Sequence, residues 1–455
     1  MVSYETAVER LYGLGQELAR TPSHLFDLAH MRVLAEALGH PERRFKSVLI
    51  AGTNGKGSTA ATLAAIAHAA GHRTGLYTSP HLLRVNERIQ VDGEPIADAD
   101  FARVYDQVKA LAEGLVARGE LPHHPSFFEM LTAMAFEHFA ACGIELAVLE
   151  VGMGGRLDAT NIVEPCVAVI TDIALDHQKF LGETIAEIAR EKAGIIHPGG
   201  TVVLLPQHPQ ANEVLGRTVL ERGARALSAT DYMPDVGPQA ATAWTREGGM
   251  RGLANRYALS VMDEPIIVES SLAGHHQLRN TALAIAAAVE LNNCGVGITA
   301  RQIELGIGAT HWPGRLQLIS GQPMGAPDVL LDVAHNPAGA WVLRAALSDR
   351  FADRRMALVF GAMRDKAIAE MADILFTQAD CVVATQAKNP RSASAEEIRK
   401  AGERTGTQII MTPDVPTALE RARALLPTDG LIVVTGSIYV VGEAIQEMRN
   451  AKVGL

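Results

Sequence analysis

The chain is poor in the features that mark several large functional classes. Its four cysteines, Cys142, Cys166, Cys294 and Cys381, are scattered over 455 residues without a CxxC pair. That argues against a disulfide framework and a zinc cage, and suits a reducing compartment. A basic surplus is missing too: 41 Lys and Arg face 51 Asp and Glu, for a net charge of −10. A general nucleic-acid binder carries the opposite sign. No stretch reaches the ~18 uninterrupted apolar residues of a membrane span, and the Ala-rich stretches are broken by His68, His72 and Glu290. The opening MVSYETAVERLYGLGQELAR holds acids within an amphipathic pattern and no apolar h-region, so no secretory signal is read there. Repeats of short period and low-complexity tracts are absent. A soluble cytoplasmic protein is the expectation.

What remains is ordinary globular material, 48% hydrophobic and 20% charged. The length suits two or three domains. Short apolar runs alternate with helical patterns. Strands are expected at Ser47–Ala51, Thr74–Thr78, Glu145–Val151, Cys166–Asp172 and Thr201–Leu205. Helices are expected at Ser58–Ala70, Asp100–Arg118, Phe127–Ala141 and Thr184–Ala193. Strands apolar almost throughout suit a parallel sheet covered on both faces. The spacing thus predicts an α/β layered domain with right-handed crossovers.

From about Ala226 to Ser271, Gly, Pro and Thr dominate, and antiparallel excursions on the first domain are expected there, including a strand at Pro265–Glu269. A helix follows at Gln277–Asn292. The turn-rich GIGATHWPGR, Gly306–Arg315, is the best linker candidate. The α/β rhythm then restarts, with strands at Val329–Ala334, Met356–Gly361, Cys381–Thr385, Gln408–Met411 and Leu431–Gly436. Helices fill the gaps at Ala338–Ser348, Lys366–Phe376, Ala395–Glu403, Val415–Leu426 and Val440–Met448. Two domains are therefore expected, 1–305 and a smaller, Rossmann-like 306–455.

The strongest single signal is SVLIAGTNGKGSTAATLAAIAHAAG. A strand enters a Gly-rich turn, Gly52–Gly57, and a helix leaves from Ser58. In such a turn successive N–H groups point at phosphate oxygens, the helix N-terminus adds positive charge, and Lys56 reaches the terminal phosphates. The usual G-x-x-x-x-G-K-[ST] pattern is not fully met. Ile50 stands where its first Gly would be, and Gly57 follows Lys56, so the hydroxyls come one place later as Ser58 and Thr59. Two strands end in groups of interest. Glu150 closes LAVLE, the edge where open α/β sheets place ligands, and His177 follows the strand Val167–Ile173. Lys192, by spacing alone, reads as a solvated helix lysine.

GTNGKGS is the loop form of ATP-dependent amide ligases. Further stretches narrow the resemblance: TSPHLLRVNERIQVDG (Thr78–Gly93), SFFEMLTAMAF (Ser126–Phe136), LEVGMGGRLDATN (Leu149–Asn161), ALDHQKFLGETIAEIAREKAGI (Ala174–Ile195) and LDVAHNPAG (Leu331–Gly339). In order and spacing, over Leu11 to Met448, the chain resembles the folylpolyglutamate synthase/dihydrofolate synthase family of the Mur ligase superfamily.

The resemblance implies an ATP-dependent ligase adding L-glutamate to dihydropteroate, to folate γ-carboxylates, or to both, through an acyl phosphate. It implies nucleotide contacts at Thr53, Asn54, Gly55, Lys56, Gly57, Ser58, Asn280, Arg315 and Asp332. It implies a first Mg2+ on Ser79 and Glu150, and a second on His177 and a carbamylated Lys192. Lys56, His177 and Lys192 are then the catalytic set, and K+ is an additional ion the family admits. The folate side falls on Phe26, Asp27, Leu28, Ser126, Phe127, Phe128, Glu129 and Leu157. Within DLAHMRV, Ala29, His30 and Met31 depart from the family's DLGLERV, which bears on the dihydropteroate activity. His335 and Asn336 follow Asp332, and Ser79–Arg88 is expected to be a flexible lid with Arg84 and Arg88 facing anionic substrate. A monomer is expected from the resemblance.

Two other readings compete. A Mur-type ligase of UDP-muramoyl peptides shares both α/β domains, yet TSPHL, SFFE and LEVGMGGRLDATN speak against it, and only 46 residues precede the first strand. A P-loop NTPase switch without ligase chemistry would not need the second doubly wound domain.

Overall fold

The computed structural model describes residues 2–15, 28–234, 244–247, 250–321 and 325–450. These fall into two compact units. The first takes Met1–Asp235, Ala258–Val268 and Leu278–Thr310, and the second Val236–Tyr257, Glu269–Gln277 and His311–Leu455.

The first unit is built on an eight-stranded sheet. Its strands are β1 (Lys46–Ala51), β2 (Thr74–Tyr77), β3 (Ile89–Val91), β4 (Glu94–Pro95), β5 (Leu146–Glu150), β6 (Val167–Ile170), β7 (Thr201–Leu204) and β8 (Arg225–Ser228), in spatial order β4-β3-β2-β5-β1-β6-β7-β8. From β2 to β8 all neighbours run parallel, and β3 and β4 add an antiparallel edge. Helices α1 (Tyr4–Gly13), α2 (Leu28–Ala37), α3 (Lys56–Ala69), α4 (Asp98–Ala117), α5 (Phe127–Cys142), α6 (Gln178–Leu181), α7 (Ile185–Ala193), α8 (Pro209–Glu221), α9 (His275–Leu291) and α10 (Ala300–Ala309) follow along the chain. β1, β5 and β6 are buried along nearly their whole lengths, which is why they read as unbroken apolar runs. β1 lies between β5 and β6, so the loop leaving it opens at the carboxyl edge of the sheet with a parallel strand end on either side.

Two local expectations change. β8 pairs in parallel with β7, extending the main sheet where an antiparallel excursion was expected. The linker begins later than Gly306, because α10 runs to Ala309. Residue 306 is a glycine for a packing reason: a Cβ there would lie 2.3 Å from the Ile66 Cα on α3. The turn residue of the sequence pattern is thus the small residue of a close helix–helix contact.

The second unit holds β9 (Trp244–Glu247), paired with β10 (Met250–Leu253), and a six-stranded sheet. β11 (Asn255–Val261) pairs with β12 (Glu264–Ser270). The large sheet comprises β13 (Gln317–Ile319), β14 (Asp328–Leu331), β15 (Met356–Phe360), β16 (Cys381–Ala384), β17 (Gln408–Met411) and β18 (Leu431–Thr435). Their order is β13-β14-β18-β15-β16-β17, parallel except at the β13 edge. The intervening helices are α11 (Pro337–Arg350), α12 (Ile368–Leu375), α13 (Ala395–Gly402), α14 (Val415–Leu425) and α15 (Ile438–Asn450). The mixed α/β architecture, with a larger parallel-sheet unit and a separate smaller one, is the fold class the alternation predicts. All four cysteines are free thiols. Among the described residues no helix is long and apolar enough to cross a membrane.

Candidate active site

The loop after β1 is fastened on both limbs. Thr53 and Asn54 donate their amides to the Asp172 carbonyl at 2.8 and 3.2 Å. The Thr53 hydroxyl bonds the Ala174 carbonyl at 3.0 Å. At the other limb Gly55 takes φ +92 and caps α3, which starts at Lys56. A Cβ on Gly55 would lie 2.2 Å from the Asn280 Oδ1 of α9, so only glycine lets the two approach. Gly57, Ser58 and Thr59 are buried in the first turn of α3. An α-helix N-terminus with a glycine cap and a lysine beside it is an anion site in waiting.

Lys56 Nζ donates to the carbonyls of Gly52 and Thr53, each at 3.2 Å. The Gly52 carbonyl also accepts from Lys192 Nζ at 2.6 Å. Lys192 lies near the end of α7 and is only 4% exposed, so it is not the solvated helix lysine that spacing suggests. Burial first, and then the Lys56 charge, push its amine down to about 7, against weaker support from Asp176 and Asp158. A lysine brought to that range is neutral in substantial part at physiological pH.

Glu150 ends β5 opposite Ile50 of β1 and is 4% exposed. One carboxylate oxygen accepts the Ser79 amide at 3.1 Å, and Ser79 stands two residues beyond β2. On the opposite flank of β1, His177 adopts φ +50, with its Nε2 3.9 Å from Asp176 Oδ2. The loop lysine, the buried lysine and the strand-end carboxylate thus gather at one sheet edge. Among the described residues no three His, Cys, Asp or Glu side chains meet as a ready metal cage.

The residues expected to face folate are placed less uniformly. Phe26 and Asp27 lie outside the described residues, and Leu28 begins α2. Ser126 and Glu129 form a capping box on α5: the Glu129 Oε2 accepts the Ser126 amide at 2.8 Å and its hydroxyl at 2.7 Å. Phe127 is 2% exposed and stacked on Tyr12 at 5.5 Å. Phe128 is half-buried and packs against Tyr77 and Gly152, and Leu157 is half-buried. The pattern S-x-x-E before an apolar run is itself a capping signature, so structure claims two of these four side chains. Ser126→Ala is expected to cost about 1 kcal/mol of stability, read as a lower urea midpoint.

The Ser79–Arg88 loop differs from a flexible lid. Glu87 accepts the amides of Leu82, Leu83 and Arg84 at 2.7, 3.0 and 2.8 Å. Arg84 pairs with Asp98 at 2.7 Å. Arg88, 1% exposed, donates its Nε to His81 Nδ1 at 2.9 Å and lies over the Phe127 ring. Burial and that guanidinium push the His81 ring down to about 3, leaving it a neutral acceptor.

In the second unit, Asp332 follows β14 and is buried. Its two oxygens accept the amides of Leu316 and Ala334 at 3.0 and 2.9 Å. Burial raises its pKa despite the Arg315 charge. The same guanidinium assists burial in pushing His276 down to about 4. His335 Nδ1 bonds the Val333 carbonyl at 3.0 Å, and Asn336 caps α11 through the Gly339 amide at 2.8 Å. Arg315 and Asp332 are therefore neighbours.

Sequence reasoning passed over three acids and a base. Asp158, buried beneath the Gly-rich turn after β5, accepts Met153 and Thr160 amides, both at 3.0 Å. Asp176 acts on Lys192. Asp172 meets Arg279 at 2.6 Å. The first two sit inside motifs already singled out, but nothing local predicts the Asp172–Arg279 pair across 107 residues.

Residues 124–288 match the Mur ligase middle domain and residues 314–438 the Mur ligase glutamate ligase domain. The chain is 33% identical over 427 residues to a dihydrofolate synthase/folylpolyglutamate synthase of Bacillus subtilis, covering 93% of this chain and 95% of the relative. It is 34% identical over 437 residues to a folylpolyglutamate synthase of Lacticaseibacillus casei, covering 96% of each. The Mycobacterium tuberculosis folylpolyglutamate synthase complexed with ADP and AMPPCP superposes with a TM-score of 0.85 at 32% identity, over 97% of this chain and 98% of that one.

Proposed function

Because the chain belongs to the folylpolyglutamate synthase/dihydrofolate synthase family of Mur-type ligases, we propose that it joins L-glutamate to the carboxylate of dihydropteroate, of a reduced folate, or of both, with cleavage of ATP. The substrate carboxylate oxygen attacks the γ-phosphorus, ADP leaves, and an acyl phosphate forms. The glutamate α-amine then attacks the acyl carbon and loses a proton, and inorganic phosphate departs as the amide forms. Such a reaction brings polyanions together, so positioning and charge neutralisation carry the rate.

The observation that carries this reading is the common sheet edge of Lys56 and Glu150: Glu150 ends β5, and Lys56 opens α3 after the loop that leaves the adjacent parallel strand β1. The amides and Lys56 of the loop would cradle the β- and γ-phosphates, with Asn280 against the loop, and Arg315 and Asp332 are proposed as further nucleotide contacts. The buried carboxylate of Glu150, one oxygen of which accepts the Ser79 amide at 3.1 Å, is an oxygen donor that fits a hard divalent cation. Ser79 and Glu150 would hold a first Mg2+, and His177 with a modified Lys192 a second. When bound, Mg2+ supplies neutralising charge at the transferring phosphoryl group. In Lys192 the neutral Nζ would attack carbon dioxide, forming an N–C bond and releasing one proton, and the resulting carbamate would offer oxygen in place of nitrogen. K+, a monomeric state, cytoplasmic action on small molecules alone, and a folate site at Phe26, Asp27, Leu28, Ser126, Phe127, Phe128, Glu129 and Leu157 complete the reading, as do domains at 1–305 and 306–455.

Phosphate release from ATP and glutamate tests it directly. Release is expected with dihydropteroate or tetrahydrofolate and not with a UDP-muramoyl peptide. Release only with the muramoyl peptide would make the chain a cell-wall ligase. Release indifferent to any organic acid would make it an NTPase switch.

A further inference from the structure

We propose that Arg279 is a positioning residue for the nucleotide loop, acting through Asp172. This rests on the ligase reading above, because it concerns how that site takes ATP. Both amides of the outer limb, those of Thr53 and Asn54, donate to one carbonyl, that of Asp172, while the Thr53 hydroxyl bonds the main chain of Ala174. An antiparallel bridge between Asn54 and Asp172 marks the same junction. Asp172 lies beyond the end of β6, where the strand ladder no longer holds it.

Arg279 holds it instead. The guanidinium Nε is 3.1 Å from both Asp172 oxygens, and Nη2 is 2.6 Å from Oδ1. Nη2 also donates to the Pro206 carbonyl at 3.0 Å, beyond β7. The next residue, Asn280, fills the space beside Gly55 and is 5% exposed. Successive residues of α9 therefore grip the two limbs of one phosphate loop: Arg279 the anchor of Thr53 and Asn54, Asn280 the glycine that caps α3. A guanidinium fork fixes distance and orientation together, which a point charge does not.

Magnitude decides where the effect falls. The pair is partly exposed, with 28% and 42% of its side chains accessible, so it adds little to global stability. Its removal should instead loosen the loop. It would also leave the Asp172 carboxylate uncompensated beside a site built for a polyanion, and nucleotide affinity should suffer most.

The experiment uses the full chain, with steady-state kinetics and calorimetric titration of ADP. R279A is expected to raise the KM for ATP and the Kd for ADP about tenfold, with kcat at saturating ATP within about threefold and the KM for glutamate unchanged. The swap D172R/R279D should recover most of the ADP affinity, and R279K, which keeps charge but not the fork, should fall between. A folded R279A with ADP affinity within about twofold of the original, equal rises in the KM values for ATP and glutamate, or a swap no better than R279A would each overturn the proposal. Should R279A fail to fold, R279K is judged by the same criteria. ADP titration does not depend on turnover. Original protein that binds ADP but forms no glutamyl product would therefore fail the ligase reading while leaving this test intact.

Discussion

Lys56→Ala is expected to lower phosphate release by about a thousandfold or more, since one cation aimed at the transferring group carries that much in related chemistry. Its ammonium is the charge at the first residue of α3, and it now rests on the Gly52 and Thr53 carbonyls, each at 3.2 Å. Phosphate oxygens would replace those carbonyls. The fold should survive, because the Gly52 carbonyl keeps its 2.6 Å bond from Lys192 and the loop amides keep Asp172. Removing Lys56 also removes a charge that depresses the Lys192 amine, so that amine should titrate higher in the variant. Circular dichroism and thermal melting should match the original protein. A near-normal rate would refute the phosphate role.

Lys192→Met is expected to lose activity and yet gain stability. A buried amine pushed down to about 7 from an unfolded value of 10.5 binds fewer protons folded than unfolded. For a base shifted downwards the penalty is full at and below pH 7 and fades as pH rises towards 10.5. In carbonate-free buffer the original protein should therefore gain stability between pH 7 and 9. The variant, without the amine, should not share that gain, and its advantage at pH 7 should be on the order of a few kcal/mol. Urea midpoints across that range read this out. Added bicarbonate should stabilise only the original protein and should not restore turnover to the variant. An active Lys192→Met enzyme, or one whose stability tracks the original at every pH, would remove Lys192 from the mechanism.

The alternation of apolar runs and helical patterns was legible because a strand buried on both faces has only one kind of sequence. β1, β5 and β6 are such strands, and their expected bounds differ from the observed ones by a residue or two. The Gly-rich loop was legible because its constraint is local: a glycine where φ is +92 and a lysine at the next position. β8 was misread because a short, largely exposed edge strand lacks the apolar signal of its neighbours. Gly306 was misread because glycine marks a turn and a close helix contact alike.

By itself, then, the amino-acid order determined the α/β class, the phosphate loop and the motif series that points to glutamate ligation, since each is written in residues near one another along the chain. Tertiary structure alone decided that Lys192 is buried on the Gly52 carbonyl, that Arg88 turns inward to His81, that Ser126 and Glu129 serve a helix end, and that Arg279 meets Asp172. Apart from the helix cap, these are matters of which distant segments share a low-dielectric interior. A lysine, an arginine or an aspartate has the same letters in water and in a core, and only the packed neighbours set its charge and its partner.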